Sequence, residues 1–296
     1  MRKIFISGHN GFVGKNLLIK LTDKFKIIKY VKNSNINIDA DIVINLAGKA
    51  HDLRNTTNSD EYYRVNFEFT KCIYNEFLNS NATIFISFSS VKAAADHIDQ
   101  ILTEDYSPNP ITHYGKSKLL AEQYILTKNI PFNKRVYILR PCMIHGPGNK
   151  GNLNLLYNIV SKGIPWPLGA YENYRSFCSI DNLSFIIQEL IEAENIPSGI
   201  YNIADDDIVS TNELIKLIAA TQNKKATIWK VPKFIINYIA KIGDLLYLPL
   251  NTERLNKLTE NYIVSNEKIK KVINKKLPVS SKEGLNKTFI SFYKNI

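Results

Sequence analysis

The chain has 296 residues, a formal net charge of +11 and a hydrophobic fraction of 45%. That length allows one large α/β domain or a cofactor domain with a smaller partner domain, and the composition is globular rather than disordered. No run approaches the roughly 20 apolar residues of a membrane span, and Met1–Ser7 lacks the apolar core of a secretion signal. We therefore expect a cytoplasmic protein with no membrane span. The lysines are scattered and no nucleic-acid-binding motif accompanies them, so no nucleic-acid partner is predicted.

The cysteine content argues against a disulfide framework and against a zinc site. The three cysteines, Cys72, Cys142 and Cys178, are odd in number and none has metal-ligand spacing to another. We expect buried free thiols and no metal site.

The N-terminal half alternates short apolar runs with helical patterns, which predicts parallel strands joined by crossover helices in a doubly wound α/β sheet. The predicted strands are Lys3–Ser7, Lys26–Val31, Asp41–Ala47, Thr83–Phe88 and Val136–Leu139, and the predicted helices are Gly14–Leu21, Asp60–Leu78 and Lys116–Thr127. Only about ten residues separate Val31 from Asp41, too few for an ordinary crossover. A shortened connection is predicted there.

The pattern changes after Pro141, where Gly146–Gly169 is rich in Gly, Pro and Asn. The predicted elements beyond it are a helix at Leu153–Lys162, a strand at Arg175–Ile180, a helix at Asp181–Ala193, a strand at Gly199–Ala204 and helices at Ser210–Ala220 and Pro232–Leu245. Ser210 and Glu213 form a capping pattern at the start of their helix. The helix at Pro232–Leu245 is amphipathic, which suits either a membrane surface or a core; covering a core is the expected role.

The first chemical motif is Gly8-His9-Asn10-Gly11-Phe12-Val13-Gly14, between the first predicted strand and the first predicted helix. Glycines let the backbone turn tightly and approach a diphosphate, and a helix N-terminus offers free N–H groups. In this context the motif predicts a dinucleotide site rather than an ordinary turn.

The end of the second strand bears on the choice between NAD and NADP. An acid there binds the adenine ribose of NAD, whereas a basic side chain suits the 2′-phosphate of NADP. The strand ends Lys29-Tyr30-Val31-Lys32 without an acid. This leans towards NADP(H), with Lys32 as the candidate contact, although NAD(H) stays open.

The second motif is Tyr114-Gly115-Lys116-Ser117-Lys118, whose Tyr114 and Lys118 share one helix face. A free tyrosine has a pKa of about 10 and is a poor base, whereas a nearby ammonium favours the phenolate. We therefore expect Lys118 to lower the pKa of Tyr114. A third element, Ser89-Ser90, follows the fourth strand, at the sheet edge where ligands bind.

In this order the three elements resemble the extended short-chain dehydrogenase/reductases, specifically the NAD-dependent epimerase/dehydratase family. Further matching segments are Asn45-Leu46-Ala47-Gly48, Ala47–His51, Val65-Asn66, Leu139-Arg140-Pro141 with His145-Gly146-Pro147-Gly148, Arg175-Ser176-Phe177 with Ile180-Asp181-Asn182, and Tyr201–Ala204 with Ser210 and Glu213-Leu214. His145 stands where the family usually has tyrosine, and Ser176 where it has an acid.

The resemblance implies a Rossmann-like NAD(P)-binding domain at 1–145 with part of 175–205, and a smaller α/β substrate-binding domain, mainly 146–296. It implies Tyr114 as acid/base, with Lys118 and Ser90 as its catalytic partners. The cofactor contacts it implies are Gly8, Asn10, Gly11, Phe12, Val13, Gly14, Lys32, Leu46, Ala47, Gly48, Tyr114, Lys118 and Pro141. The substrate contacts it implies are Ser90, Lys92, Asn152 and Arg175, the last two for a nucleotide diphosphate.

The resemblance further implies hydride transfer at C4 of a nucleotide sugar, a UDP-sugar by preference. A dehydratase needs an acidic pair after the catalytic hydroxyl, and Val91-Lys92-Ala93 supplies none. The first hypothesis is a 4-ketoreductase of a UDP-4-keto-6-deoxy-N-acetylhexosamine in surface-polysaccharide synthesis. The alternatives are a UDP-hexose or UDP-N-acetylhexosamine 4-epimerase and, in another class, a non-catalytic NADP-binding sensor or scaffold. A homodimer through the helices at Asp60–Leu78 and Lys116–Thr127 is expected.

Overall fold

A parallel six-stranded sheet forms the centre of the protein in the computed structural model, which describes residues 1–50, 59–246 and 251–293. Its strands are β1 (Lys3–Ser7), β2 (Lys26–Lys29), β3 (Ile42–Asn45), β4 (Ile84–Phe88), β5 (Arg135–Pro141) and β8 (Gly199–Ile203). Their order is β2-β1-β3-β4-β5-β8, and every neighbouring pair is parallel. This confirms the predicted doubly wound, Rossmann-like α/β fold.

The central strands are apolar because helices cover both faces of the sheet. Every residue of β3 and β4 is buried, and both strands consist mainly of Ile, Val and Phe. Such continuous apolar runs are typical of parallel strands. The outermost strand β2, by contrast, begins and ends in an exposed lysine.

The strand order reverses at β1, which lies between β2 and β3. In open α/β sheets, ligands bind beyond the carboxyl ends of the strands at such a switch point. The connection from β2 to β3, residues 30–41, contains no helix. The shortened connection is therefore confirmed, and it lies beside the switch point.

The helices that flank the sheet start and end close to the predicted residues. They are α1 (Phe12–Leu21), α2 (Ser59–Tyr62), α3 (Phe69–Asn79), α4 (His113–Leu126) and α6 (Ile180–Glu192). A π-helical segment, Tyr63–Glu68, joins α2 to α3, so the helix predicted at Asp60–Leu78 is one irregular helical stretch. Hydrophobic spacing does not reveal this change of winding.

A smaller layer lies C-terminal to β5 and contains a three-stranded sheet. That sheet has the order β6-β7-β9, from β6 (Met143–His145), β7 (Tyr174–Ser179) and β9 (Ile208–Ser210). Its helices are α5 (Asn152–Ser161), α7 (Thr211–Ala220), α8 (Lys233–Leu245), α9 (Thr252–Thr259) and α11 (Ser281–Tyr293), whereas α10 (Glu267–Ile273) packs on β8 and α6 of the main sheet. A separate apolar cluster that includes Leu153, Leu214 and Phe289 packs here. The domain boundary near residue 145 stays a prediction.

Two expectations about burial need correction. Cys142 and Cys178 are buried free thiols, but Cys72 is exposed, because it lies on the outer side of α3. Helix α8 buries only Ile236, Ala240 and Gly243, so it covers a core with one narrow stripe. Within the described ranges, no helix is long and apolar enough to cross a membrane.

Candidate active site

The loop between β1 and α1 turns at Gly8, whose φ of +70° lies in the left-handed region that favours glycine. The Gly11 N–H donates to the Gly8 carbonyl at 3.0 Å, which closes the turn. Gly11 is the N-cap of α1 and has no side chain to satisfy the first helical N–H groups. Those groups and the positive end of the helix dipole can therefore bind an anion.

Gly8 and Gly14 of this loop lie so close to neighbouring backbone that a side chain has no room. A Cβ on Gly8 would lie 2.7 Å from the Ala47 nitrogen, and a Cβ on Gly14 would lie 2.6 Å from the Gly8 oxygen. The loop is therefore packed tightly on its inner side. A dinucleotide diphosphate fits such a cradle, because backbone N–H groups can approach it closely.

The other predicted residues of this loop surround the same turn. Asn10 and Gly11 are exposed, while Phe12 and Val13 are partly buried in the first turn of α1. Val13 packs against the main core, and the Phe12 ring lies close to Gly146. Val13 therefore anchors the start of the helix, and Asn10 stays open to a ligand.

The loop after β3 closes the second side of the cradle. The Leu46 and Ala47 N–H groups both donate to Ser7, to its carbonyl and its hydroxyl, at 3.3 Å each. A Cβ on Gly48 would lie 2.9 Å from Lys118 Nζ. Gly48 therefore lies directly against the catalytic lysine predicted from sequence.

Asn66, fully buried in the π-helical segment, holds this loop against α4. Its side chain accepts from the Lys49 N–H at 2.8 Å and donates to the Lys49 carbonyl and to Ser117 Oγ at 3.1 and 2.9 Å. Asn66, part of a segment that resembles the family, therefore ties the loop after β3 to α4. His51, the last residue of the matching segment, lies outside the described residues.

Tyr114 and Lys118 lie one turn apart on α4, as predicted. Thr112 caps this helix by accepting from the Gly115 N–H at 3.1 Å. Lys118 is buried and its Nζ donates to the Phe88 carbonyl at the end of β4, at 2.7 Å. Ser90, two residues further along, is hydrogen-bonded to the side chain of Tyr114. The three predicted catalytic residues therefore meet at the carboxyl edge of the sheet.

The pKa of Tyr114 differs from the one expected from the sequence. Burial raises the pKa of Tyr114, and the hydrogen bond from Ser90 opposes that rise. The lowering predicted from Lys118 is wrong for the isolated protein, because loss of water around the phenolate is the largest effect and Lys118 is not among the groups that shift this pKa. Burial also lowers the pKa of Lys118 to about 8, and the Glu122 carboxylate one turn away opposes that shift.

Sequence reasoning missed a buried ion pair next to the predicted catalytic group. Arg140, at the end of β5, donates through Nε and Nη2 to Glu122 of α4 at 2.9 and 2.5 Å. Ser89 Oγ also donates to Glu122. The pair thus joins α4, β5 and the residue before Ser90. Glu122 follows Lys118 by four residues, a spacing that could have indicated its position.

Asp96 is a second buried residue that the sequence did not reveal. Its carboxylate accepts from the N–H groups of Ile111 and Thr112 at 2.6 and 3.0 Å, and from the Thr112 hydroxyl at 3.0 Å. These bonds fix the loop that precedes Tyr114. Asp96 is therefore a positioning residue for the start of α4.

Two predicted substrate contacts, Lys92 and Arg175, belong to one basic cluster. The Lys92 Nζ lies 4.0 Å from the centre of the Tyr262 ring and donates to the Asp96 carbonyl at 2.6 Å. Burial lowers the pKa of the Lys92 ammonium most, the carboxylates of Glu260 and Asp96 oppose that shift, and the positive charges of Arg175 and Lys257 add to it. The cluster therefore brings three cations together with two carboxylates beside them.

Arg175 is partly buried and held by the backbone of the C-terminal layer. It donates to the carbonyls of Lys257 and Glu260 and lies 3.6 Å from the Glu260 carboxylate. Burial lowers the pKa of its guanidinium, and Glu260 opposes this. Its place in a diphosphate site stays a prediction.

The remaining predicted residues are dispersed around the edge of the site. Pro141 is buried at the end of β5, Asn152 is exposed at the first position of α5, and Lys32 is exposed after β2. Lys32 is near enough to Glu61 to help lower the pKa of that carboxylate, after the larger effects of Lys49 and Arg64. Lys32 therefore lies on the same side of the sheet as Glu61 of α2, and its contact with a cofactor stays a prediction.

Comparison with known proteins identifies the family. A model described as "NAD dependent epimerase/dehydratase family" matches residues 4–204, more than half of the chain. The chain belongs to the NAD-dependent epimerase/dehydratase family. It is therefore a NAD(P)-binding enzyme, which replaces the alternative of a non-catalytic sensor.

Individual members of the NAD-dependent epimerase/dehydratase family resemble the chain over most of its length. It is 28% identical to a UDP-glucose 4-epimerase of Vibrio cholerae over 98% of this chain and 95% of that protein. It is 26% identical to an Escherichia coli O157:H7 N-acetyl-alpha-D-glucosaminyl-diphospho-ditrans,octacis-undecaprenol 4-epimerase over 90% and 84% of the two chains. A solved structure, UDP-glucuronic acid 4-epimerase from Bacillus cereus with NAD, shares the fold with a TM-score of 0.77, 18% identity and 99% coverage of both chains.

Proposed function

We propose that the protein is a NAD(P)-dependent 4-epimerase of a UDP-sugar. The observation that carries this proposal is the convergence of Ser90, Tyr114 and Lys118 beside the glycine cradle. The similarity to 4-epimerases along nearly the whole chain supports it. Oxidation at C4 and return of hydrogen to the opposite face would invert that carbon.

The cofactor, when bound, supplies a reversible acceptor for the hydride of C4. The cradle of Gly8, Gly11 and Gly14 would hold its diphosphate, and Gly48 would lie along it. Tyr114 would take the proton of the 4-hydroxyl and return it at the end of the cycle. Ser90 would hold the same oxygen, and the Lys118 ammonium would bind the ribose of the nicotinamide.

Lys92 and Arg175 would bind the diphosphate of the substrate, since an ammonium and a guanidinium form charge-assisted hydrogen bonds with phosphate oxygens. Asn152 would contribute from the start of α5. Lys92 also argues against a dehydratase, because it lies between Val91 and Ala93, where that reaction needs acids. Its ammonium is already engaged with the Asp96 carbonyl and the Tyr262 ring.

A second candidate is the 4-ketoreductase of a UDP-4-keto-6-deoxy-N-acetylhexosamine. The observation in its favour is the basic end of β2, where Lys32 would suit the 2′-phosphate of NADP(H). A reductase consumes and releases its cofactor in each cycle, whereas an epimerase regenerates it. The two reactions therefore differ in cofactor consumption.

The deciding experiment identifies the nucleotide that the purified protein carries and then follows UDP-hexoses and UDP-N-acetylhexosamines by NMR. Interconversion of C4 epimers without net NAD(P)H consumption supports the epimerase. Loss of absorbance at 340 nm that depends on a UDP-4-keto sugar, without epimer exchange, would instead establish the reductase. Neither reaction with any UDP-sugar would overturn both proposals.

The assembly and cellular location belong to the same proposal. We expect a homodimer through the helical stretch of α2 and α3 and through α4, where Leu120 and Leu126 are exposed. We expect the protein in the cytoplasm, where nucleotide sugars are available. Light scattering of the purified protein tests the first expectation, and protection from protease added to intact cells tests the second.

A further inference from the structure

Helix α8 exposes a broad apolar face. Its buried stripe consists of Ile236, Ala240 and Gly243, which follow one another at helical spacing. Its polar stripe contains Lys233, Asn237, Lys241 and Asp244. The face between them, here called the α8 face, consists of Phe234, Ile235, Tyr238, Ile239, Ile242 and Leu245, all exposed.

The size of the α8 face is unusual for a surface helix. Phe234 is 73% exposed and Tyr238 is 66% exposed, and the two lie one turn apart. Single exposed apolar residues are ordinary, but contiguous apolar patches mark sites of interaction. The amphipathic character seen in the sequence is therefore directed outward as well as towards the core.

The charge around the α8 face indicates the chemistry of its partner. Lys233 and Lys241 lie on α8 itself, and the stretch of chain that includes α8 and its flanks, residues 224–257, contains seven lysines or arginines and only two acids. Trp229, just before the helix, is 56% exposed. Aromatic and aliphatic residues on one face, with lysines beside it, are typical of helices that lie in the plane of an anionic membrane.

A second copy of the chain fits this surface less well. Two α8 faces pressed together would bring their basic surroundings close to one another, and like charges disfavour such contacts. An anionic bilayer offers the opposite charge and an apolar interior at once. Charge complementarity therefore selects the membrane surface.

The α8 face belongs to the same layer as Arg175 of the basic cluster. Asn237 of α8 accepts from the Tyr171 hydroxyl at 2.9 Å, and Asp244 accepts from the Thr252 N–H at the start of α9 at 3.0 Å. Near the end of α9, the Lys257 carbonyl accepts from Arg175. The membrane contact and the predicted diphosphate site are therefore connected through α9.

We propose that the α8 face docks the protein peripherally on an anionic phospholipid bilayer, with Phe234 and Tyr238 entering the interface. One relative acts, by its name, on a sugar linked through a diphosphate to the lipid undecaprenol. That similarity agrees with a location at a membrane surface. The docking itself depends on the α8 face and not on which C4 reaction the site performs.

The test is co-sedimentation of the full chain with phosphatidylcholine vesicles, with and without phosphatidylglycerol. The protein should bind the anionic vesicles, and added salt should weaken binding because it screens the lysines. The double variant Phe234→Ser/Tyr238→Ser should lose at least about tenfold in vesicle affinity. The matched control is Phe132→Ser, which changes a fully exposed phenylalanine far along the chain from α8 and should bind as wild type.

Activity on a water-soluble UDP-sugar in the absence of vesicles separates this proposal from the proposed function. The double variant should keep that activity and the wild-type melting temperature, since neither side chain belongs to the core or the site. Wild-type protein that stays in the supernatant with anionic vesicles would overturn the docking. So would a double variant that binds normally, or one that changes only from dimer to monomer in light scattering.

Discussion

Replacing Glu122 by glutamine tests the ion pair behind the catalytic residues. The side chains of Glu122 and Arg140 are each only 2% exposed, and two hydrogen bonds join them. The substitution keeps the shape of the side chain but removes its charge. The guanidinium of Arg140 then stays buried without a counter-charge, which costs about 3–5 kcal/mol in comparable pairs.

The structure allows this cost to be expressed as a melting temperature. An unfolding entropy of about 2.1 cal/mol/K per residue, summed over the whole chain, converts this cost into a fall in melting temperature of about 5–8 °C. Urea unfolding followed by the fluorescence of Trp166 and Trp229, with thermal unfolding alongside, measures the change. Glu76→Gln is the matched control, because Glu76 is exposed on α3 and should change stability by less than about 0.5 kcal/mol.

A double variant distinguishes lost pairing from lost packing. Glu122→Leu with Arg140→Met removes both charges and keeps similar volumes, so it should recover most of the stability. Its activity should still fall, because Ser89 loses its hydrogen bond to the Glu122 carboxylate and Lys118 loses the nearby negative charge that raises its pKa. A Glu122→Gln protein within about 1 kcal/mol of wild type would refute the reasoning.

Three further substitutions or titrations test the cradle, the lysine and the cofactor. Gly8→Ala should weaken NAD(P) binding at least about tenfold. It should also lower stability by more than Gly163→Ala, which has nearly the same φ but open space around it and should cost about 1 kcal/mol. Equal losses of stability in thermal unfolding would contradict the cradle. Because the pKa of Lys118 is about 8, kcat/KM should fall as the pH rises through that value and the ammonium loses its proton, and a flat profile there would contradict its role. Lys32→Ala should raise the Kd for NADPH about tenfold and leave that for NADH unchanged, whereas equal effects on both in a binding titration would remove the lean to NADP(H).

Much of the fold was predictable because its signals are local. The buried strands, the glycine turn and the capping box of Ser210 and Glu213 depend on residues close together in the chain, and all of them are present. Tyr114 and Lys118 are likewise neighbours on one helix. Such features need no knowledge of how distant segments pack.

The features that could not be predicted depend on contacts between distant segments. Glu122 and Arg140 lie 18 residues apart and meet only because α4 packs on β5. Asp96 reaches Thr112 across a long loop. Helix α8 could be recognised as amphipathic, but a sequence does not say how much of an apolar face its own core will cover. The pKa of Tyr114 depends on burial in the same way.

The most direct test of the central claim is the turnover of Tyr114→Phe with the UDP-sugar that the wild-type protein converts. Tyr124→Phe is the control, because Tyr124 lies on the same helix but bonds to Asn75 away from the site. The account predicts a loss of about 10²–10⁴-fold for Tyr114→Phe, with unchanged cofactor content and melting temperature, and near wild-type turnover for Tyr124→Phe. Turnover by Tyr114→Phe close to that of wild type would contradict it, because the proton at the 4-hydroxyl would then be handled by another group.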